Sequence, residues 1–402
     1  AFLDFDRPVD ILRHLMIGGE GTLGFIAEAV LRTVPDLPVR YTGLLLFATI
    51  ADACRAIQPL TAAGAAALEV MDRAALRSVQ DAPGMPPSLA RLPVAAAGLL
   101  VEFQEPAGAD VSAIAARASN AIRDLSLVDP AHFTSDPSEQ ALLWRIRKGM
   151  FPSVGAVRRR GTTVIIEDVA FPVLSLASAV VDLQALFATH GYDDAIIFGH
   201  AKDGNLHFVL TQAFDDRASI DQYARFMDDV VSLVVNRYDG ALKAEHGTGR
   251  NVAPFVELEW GAQALATMRR IKDLFDPEGL LNPGVILNDD ALAHVKNLKP
   301  LPAADPLVDK CIECGFCEPK CPSRGLTLSP RQRIVGWREI ARLEALETVL
   351  EIGVLKSVAA HLVMGAAGRR SRSSARSIEA GSPARPAGAA ASPRAPCSRR
   401  RA

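Results

Sequence analysis

The stretch "FGHAKDGNLHFVL", Phe198 to Leu210, constrains the fold more than any other in this chain. Asp-Gly between two extended apolar segments is a strong hairpin signal, because both central turn positions need positive φ. Such strands pair antiparallel, so the sheet containing them is mainly antiparallel. With Asp203 and Gly204 central, Lys202 faces Asn205, Ala201 faces Leu206, and His200 lies opposite His207. Directly opposed side chains share one face, with Cβ atoms about 4.5–5.5 Å apart. Two imidazoles at that spacing can converge on one ion, or they can be solvated residues at a strand end. A third ligand decides between these readings.

The surrounding pattern extends the sheet. "RYTGLLLF" and "AAAGLLVEF" read as strands, each before an Ala-rich amphipathic helix, Ile50–Ala63 and Ala109–Leu125. "TTVIIEDVAF" is a further strand, followed by a helix over Val173–Ala188, and the hairpin is followed by a helix over Ser219–Tyr238. Strands alternating with helices around a hairpin give an α+β fold. Two ferredoxin-like strand–helix–strand halves are expected, although no clear sequence repeat marks them.

Residues 1–37 form a separate stretch ending in "LMIGGEGTLGFIAEAVLRTVP", where glycines are followed by a β-rich run. The sheet domain occupies 38–287. Residues 288–363 hold a linker containing "LKPLPAADP", a cysteine module and a helix from Ser329 to Val363, with Ser329 as N-cap and Pro330 at the first helical position. From 364 to 402 the chain is mostly Arg, Ala, Ser, Pro and Gly, which cannot bury enough apolar area to fold. That stretch reads as a disordered tail and as an artefactual reading frame.

The 402 residues suffice for two or three domains, and 49% apolar content with a net charge of −2 gives no nucleic-acid signal. No apolar run reaches the roughly 18–20 residues of a membrane span. No signal-peptide pattern is present, and a chain that opens on Ala in mid-motif reads as a fragment. Four of the six cysteines, Cys311, Cys314, Cys317 and Cys321, crowd together. Without an export signal this favours metal ligation over disulfides, and a reducing cytoplasm, with peripheral attachment to the inner membrane through a partner left open.

The third ligand is in "ALKAEHGTGR". Glu245 adds a hard oxygen to two imidazole nitrogens, and two His with one carboxylate and open positions suit a catalytic metal site. His246 projects away from Glu245 and can stand beside the metal as a general base. The bland alternative makes Glu245 a capping residue and His246 a polar loop residue. "CIECGFCEPKCP" is more specific: C-x2-C-x2-C-x3-C-P is the bacterial ferredoxin run for a four-iron, four-sulfur cluster, with zinc as the alternative. "IGGEGTLGF", Ile17 to Phe25, offers backbone amides to something anionic or planar, or is a plain turn before a strand. In "LLWRIRKGMFPSVGAVRRRG" most charges read as a solvated helix face, but one inward Arg would clamp a carboxylate.

Taken in order, "GGEGTLGFIAEAVLRTVP", "WRIRKG", "GHAKDGNLH", "EHGTGR", "DPEGLLNPG" and "CIECGFCEPKCP" resemble the FAD-linked oxidases of the vanillyl-alcohol-oxidase type. The branch is similar to bacterial D-2-hydroxyglutarate and D-lactate dehydrogenases fused to iron–sulfur modules, and the resemblance covers roughly residues 1–350. It implies that the chain begins at the end of an FAD-binding domain and continues into a substrate and cap domain. It implies that Gly18, Gly19, Glu20, Gly21, Thr22 and Gly24 approach FAD, with Asn282 near the flavin. It implies that His200, His207 and Glu245 bind a divalent metal, zinc or manganese, that His246 accepts the proton, and that Arg147 holds the substrate carboxylate. Two departures stand out. The pyrophosphate-binding half of the flavin domain is missing, so this fragment alone should bind FAD poorly and be inactive. Val209 stands where some 2-hydroxyglutarate enzymes carry Asn, which leaves the substrate open among 2-hydroxyglutarate, lactate and glycolate types.

The resulting expectation is a dehydrogenase that oxidises a small D-2-hydroxy acid, with electrons leaving through a 4Fe-4S cluster to a quinone or an electron-transfer protein. Homo-oligomerisation is left open. The rival readings are a metal-dependent hydrolase with an accessory cluster, and a non-catalytic iron–sulfur electron-transfer subunit with a degenerate flavin domain.

Overall fold

The computed structural model describes residues 2–81 and 83–350. The tail from 364 onward and the end of the expected last helix lie outside the described residues. The chain divides into two compact units, one through Cys321 and the other from Pro322.

The first unit opens with α1 (Pro8–Met16). A half built of β1 (Val39–Phe47), α2 (Ile50–Arg55), α3 (Ile57–Ala62), β2 (Ala67–Met71), α4 (Arg73–Val79), β3 (Ala97–Glu105), α5 (Val111–Ile122) and β4 (His132–Thr134) comes next. After α6 (Pro137–Val157), the second half runs β5 (Thr163–Ala170), α7 (Leu176–Thr189), β6 (Ile196–His200), β7 (Asn205–Gln212) and α8 (Arg217–Val231). Then come α9 (Val256–Trp260) and α10 (Ala262–Phe275). In the second unit, α11 (Pro330–Leu350) starts with a reciprocal cap. Ser329 Oγ accepts from Gln332 N at 3.3 Å, and Gln332 Oε1 accepts from Ser329 N at 2.8 Å.

The strands form one seven-stranded sheet in the order β4-β1-β3-β2-β6-β7-β5. Each pairing is antiparallel. The first half thus has the β4-β1-β3-β2 order of a ferredoxin-like βαββαβ unit. The second repeats it as β6-β7-β5, and Ala241 bridges Ala170 where a fourth strand would lie. The halves join edge to edge through β2 and β6.

Both faces of this sheet are covered, which is why its strands read as apolar runs rather than alternating patterns. Leu45, Phe47, Val70, Val101, Ile197 and Phe208 pack under α2, α3, α5, α7 and α8. Leu46, Met71, Leu100, Phe198 and Val209 face the other way, against Leu76 of α4 and Ile146 and Met150 of α6. Helix starts track the capping residues: Thr49, Asp72, Asp110 and Asp216 each accept a backbone N–H of the first turn.

Three local expectations change. The helix expected over 50–63 breaks at Ala56 into α2 and α3. Pro59 lacks the N–H that would reach the Arg55 carbonyl, and its ring crowds that oxygen. The β-rich run after the glycines forms no strand: residues 25–38 lack regular structure, with Phe25 89% and Val30 93% exposed. An extended segment needs a neighbour for its backbone groups, and none pairs with it among the described residues. The helix expected to Tyr238 widens after α8 into a π-helical stretch, Ser232–Arg237, which leads into the loop at 241–250. Among the described residues no helix is long and apolar enough to cross a membrane.

Candidate active site

The sheet face that packs on α4 and α6 carries a cluster of polar side chains near the seam between the halves. His200 ends β6 opposite Glu69 of β2, and His207 of β7 stands opposite Phe198 of β6 and Asp168 of β5. The two-residue hairpin turn is therefore corrected: His207 pairs with Phe198, not with His200. The connection is a short turn of 3-10 helix, Ala201–Asp203, closed by left-handed Gly204 at φ 72°. The turn is drawn onto the end of β5, where Phe171 N donates to Gly204 O at 2.9 Å. A Cβ on Gly204 would meet Phe171 O at 2.0 Å, so only glycine fits. The slip amounts to two residues along β6. Because side chains alternate with period two, an even slip leaves both histidines on one face. Their rings lie 5.5 Å apart and nearly perpendicular.

Glu245 completes the cluster. Its Oε1 lies 3.4 Å from His200 Nε2 and 2.9 Å from His207 Nε2. Ligand atoms arranged tetrahedrally about one ion at about 2.0–2.2 Å are spaced about 3.3–3.6 Å from one another, and the three donor atoms here, all within 4.8 Å of one another, are near enough to share one small cation. Each imidazole has its other nitrogen turned to a carboxylate. His200 Nδ1 lies 2.7 Å from Glu69 Oε1. His207 Nδ1 lies 3.3 Å from Asp168 Oδ1, off the line of a good hydrogen bond. A carboxylate behind each histidine is the usual support of a metal-binding imidazole.

The two supporting carboxylates are held in different ways. Burial works against ionised Glu69, but the His200 hydrogen bond and the Arg147 charge outweigh it and keep the carboxyl below its ordinary range. The same hydrogen bond raises His200 above the ordinary imidazole range, against the effect of burial. Asp168 is 4% exposed, yet it lies well below the usual carboxylate range. Burial opposes its charge, while His207 and three backbone N–H groups overcome that cost. Those donors are Ala244, Glu245 and His246, at 2.8, 2.6 and 2.8 Å from a single oxygen, Oδ2. Asn205 Nδ2 donates to the other oxygen at 2.6 Å. One carboxylate thus fixes the backbone that carries Glu245 and His246 and stands beside His207.

Of the remaining site candidates, His246 stacks on His207 with ring centroids 4.7 Å apart, and its Nε2 lies 3.7 Å from Glu245 Oε1. Arg147, on α6, donates from Nε to Glu69 Oε2 at 2.8 Å and lies over the Phe198 ring at 4.5 Å. Its two Nη atoms make no hydrogen bond among the described residues.

The glycine loop reaches the same region from the other side. Gly18, Glu20 and Gly21 have left-handed φ, and Thr22 N donates to Gly19 O at 2.9 Å to close the turn. Glu20 turns its carboxylate onto the "EHGTGR" loop, accepting from Thr248 N at 2.6 Å and Gly249 N at 2.8 Å. Asn282 Nδ2 donates to Glu20 O at 2.6 Å. Glu20 is therefore held against the loop that bears Glu245, with Asn282 bonded to its carbonyl and beside Gly21, while Gly24 lies near Met16. A cleft of about 380 Å³ opens beside this junction, lined by Gly18, Gly19, Thr22, Lys243, Thr248 and Trp260, among others.

In the cysteine run, Cys311 and Cys321 are half-buried, whereas Cys314 and Cys317 are exposed. Among the described residues no three cysteines converge at the spacing of a single-ion site. A four-iron cluster takes one thiolate per iron and needs no such convergence. Glu313 N donates to Cys311 Sγ at 3.3 Å, the kind of contact that supports a thiolate ligand. Arg158, buried at the end of α6, donates to the Cys311 carbonyl at 3.2 Å and ties this run to the sheet domain.

Sequence reasoning misses Glu69 and Asp168. Each is an acid inside a short apolar strand, in "ALEVM" and "VIIEDVA". A charge at a buried strand position breaks the local pattern, and that break is the available signal.

Comparison with known proteins agrees with this architecture. The glycolate oxidase subunit GlcD of Bacillus subtilis is 29% identical over 292 residues, 71% of this chain and 58% of the relative. The D-2-hydroxyglutarate dehydrogenase of Xanthomonas citri pv. viticola is 30% identical over 278 residues, 68% and 56% of the two chains. The mitochondrial cytochrome-type D-lactate dehydrogenase of Arabidopsis thaliana is 27% identical over 291 residues, 69% of this chain and 47% of that protein. The chain thus spans about half the length of these relatives. Residues 37–286 match the C-terminal domain of FAD-linked oxidases, and the chain belongs to that family.

Proposed function

We propose that the complete protein is an FAD-dependent dehydrogenase that oxidises a small D-2-hydroxy acid to the 2-oxo acid. The observation that carries this reading is the convergence of His200, His207 and Glu245, with His246 and Arg147 on the same side of the sheet. The names of the relatives, which act on glycolate, D-lactate or D-2-hydroxyglutarate, support the substrate class.

His200 Nε2, His207 Nε2 and Glu245 Oε1 hold a divalent cation, zinc or manganese. Such an ion, when bound, lowers the pKa of an alcohol and needs no redox role. Arg147 receives the substrate carboxylate on its Nη atoms, its Nε being committed to Glu69. His246 Nε2 takes the hydroxyl proton, and stacking on His207 holds its ring beside the metal ligands. FAD, approached by Gly18, Gly19, Glu20, Gly21, Thr22, Gly24 and Asn282, supplies the hydride acceptor. A 4Fe-4S cluster on Cys311, Cys314, Cys317 and Cys321 supplies a one-electron carrier to a quinone or an electron-transfer protein. Arg158 keeps that cysteine run at the end of the sheet domain. The clustered thiols favour a reducing compartment such as the cytoplasm.

Anaerobic mixing of the full-length protein with a panel of D- and L-2-hydroxy acids tests this reading. Bleaching of the flavin by D-isomers supports it. Metal binding with no bleaching by any hydroxy acid would turn the assignment toward a hydrolase.

A further inference from the structure

We infer that Glu69 is a positioning residue that fixes the tautomer of His200 and so couples the arginine clamp to the metal site. This rests on the metal reading proposed above. Glu69 lies in the middle of five-residue β2, is 5% exposed, and spends both oxygens on the site. Oε2 accepts from Arg147 Nε at 2.8 Å, and Oε1 lies 2.7 Å from His200 Nδ1. A buried carboxylate is costly unless its oxygens are satisfied, and both are.

Donor and acceptor chemistry determines where the His200 proton sits. An ionised carboxylate only accepts, and a guanidinium only donates. Nδ1 of His200 makes the ring's hydrogen bond, to Glu69 at 2.7 Å, and so carries the proton of the neutral imidazole, whereas Nε2 lies 3.4 Å from Glu245 Oε1 without hydrogen-bonding to it and is the nitrogen left for the metal. An imidazole binds metal through the nitrogen that carries no proton. Glu69 thus selects the metal-binding form of His200 and at the same time aims Arg147. It also brings the first half of the sheet into a site whose ligands all come from the second half, because β2 pairs with β6 at the seam.

Glu69→Gln separates this role from simple packing. The introduced amide has one acceptor and one donor end. Arg147 cannot accept, so the carbonyl must face Arg147 and the NH2 must face His200 Nδ1. That arrangement moves the ring proton to Nε2, the ligand atom. Removing the arginine as well frees the amide to turn its carbonyl back toward His200. The experiment uses full-length protein stripped of metal. Zinc titration by calorimetry gives affinity, 15N NMR of the His200 ring at a pH alkaline enough to keep the imidazole neutral gives the tautomer, and circular dichroism checks the fold.

The expected result is zinc binding about 10–100-fold weaker in E69Q, with the His200 proton moved to Nε2. The double variant E69Q/R147M should bind zinc more tightly than E69Q, with the proton back on Nδ1. Unchanged affinity and tautomer in E69Q overturn the inference, and so does a double variant no tighter than E69Q. If E69Q does not fold, R147M against E69Q/R147M carries the test, and a proton found on Nε2 in that double variant overturns it. Wild-type protein that binds neither zinc nor manganese sinks the metal reading itself, which is a different failure.

Discussion

Asp168→Asn probes the most connected residue of the site. In the native protein one oxygen, Oδ2, accepts the N–H groups of Ala244, Glu245 and His246 at 2.8, 2.6 and 2.8 Å. A hydrogen bond to a charged group contributes about 1.5–3 kcal/mol, and a neutral one about 0.5–1.5 kcal/mol. Neutralising the acceptor therefore costs about 1 kcal/mol per bond and about 3 kcal/mol in total. The pH dependence has a definite sign. Asp168 stays ionised in the folded protein well below the ordinary range, whereas the unfolded chain takes up its proton at about pH 3.9. Its contribution is complete above that pH and fades as the pH falls through the folded-state value. Urea melts of full-length wild type and D168N should differ by about 3 kcal/mol near pH 7, with the gap narrowing below about pH 4. Hydrogen exchange at the amides of 244–246 should accelerate by about 100-fold, since each 1.4 kcal/mol is a factor of about ten. A gap under about 0.5 kcal/mol at pH 7, or one that widens in acid, refutes the reasoning.

Three other outcomes are expected from the same contacts. His246→Ala should lower turnover by about 10²–10⁴-fold while metal content stays intact, and unchanged turnover removes His246 from the base role. Burial lifts Glu167 to about 7 despite hydrogen bonds from Asn251 and Tyr223. The folded state keeps that proton where the unfolded chain has released it, so stability falls by about 3 kcal/mol as the pH rises from about 4.3 to 7. E167Q should abolish that slope, and melts of both proteins between pH 4 and 8 check it. Glu20→Gln weakens two backbone contacts, at Thr248 and Gly249, by about 1 kcal/mol each. Exchange of those two amides should rise by about 30-fold in total, and no change would show that Glu20 does not hold the loop.

Much of this molecule is legible in its sequence, for reasons that can be named. The antiparallel sheet is implied by the hairpin, and the histidine pair survives a mistaken register because the error is even. Glu245 and His246 stand out as a motif, and Asp168 holds their backbone in place. Helix starts at Thr49 and Ser329 reflect capping chemistry that acts within one turn. The features that sequence hides depend on partners distant along the chain. β2 is only five residues long with an acid at its centre, and it makes sense only once β3 and β6 flank it and Arg147 and His200 meet Glu69. On α6 an inward Arg147 is legible among charges that read as solvated, but its partner Glu69 is not, and neither is the burial of Ile146 and Met150 on the same helix. The run at 25–34 carries strand-forming residues without a strand to pair with among the described residues.

The central claim is that the His200, His207 and Glu245 cluster holds a cation that the oxidation of a 2-hydroxy acid requires. The most direct measurement is anaerobic flavin bleaching of the full-length protein by a D-2-hydroxy acid, before and after chelation and again after zinc or manganese is restored. The account predicts bleaching that is lost on chelation, returns with the metal, and does not return in His207→Ala. Bleaching at an undiminished rate in protein shown to be free of metal would contradict it.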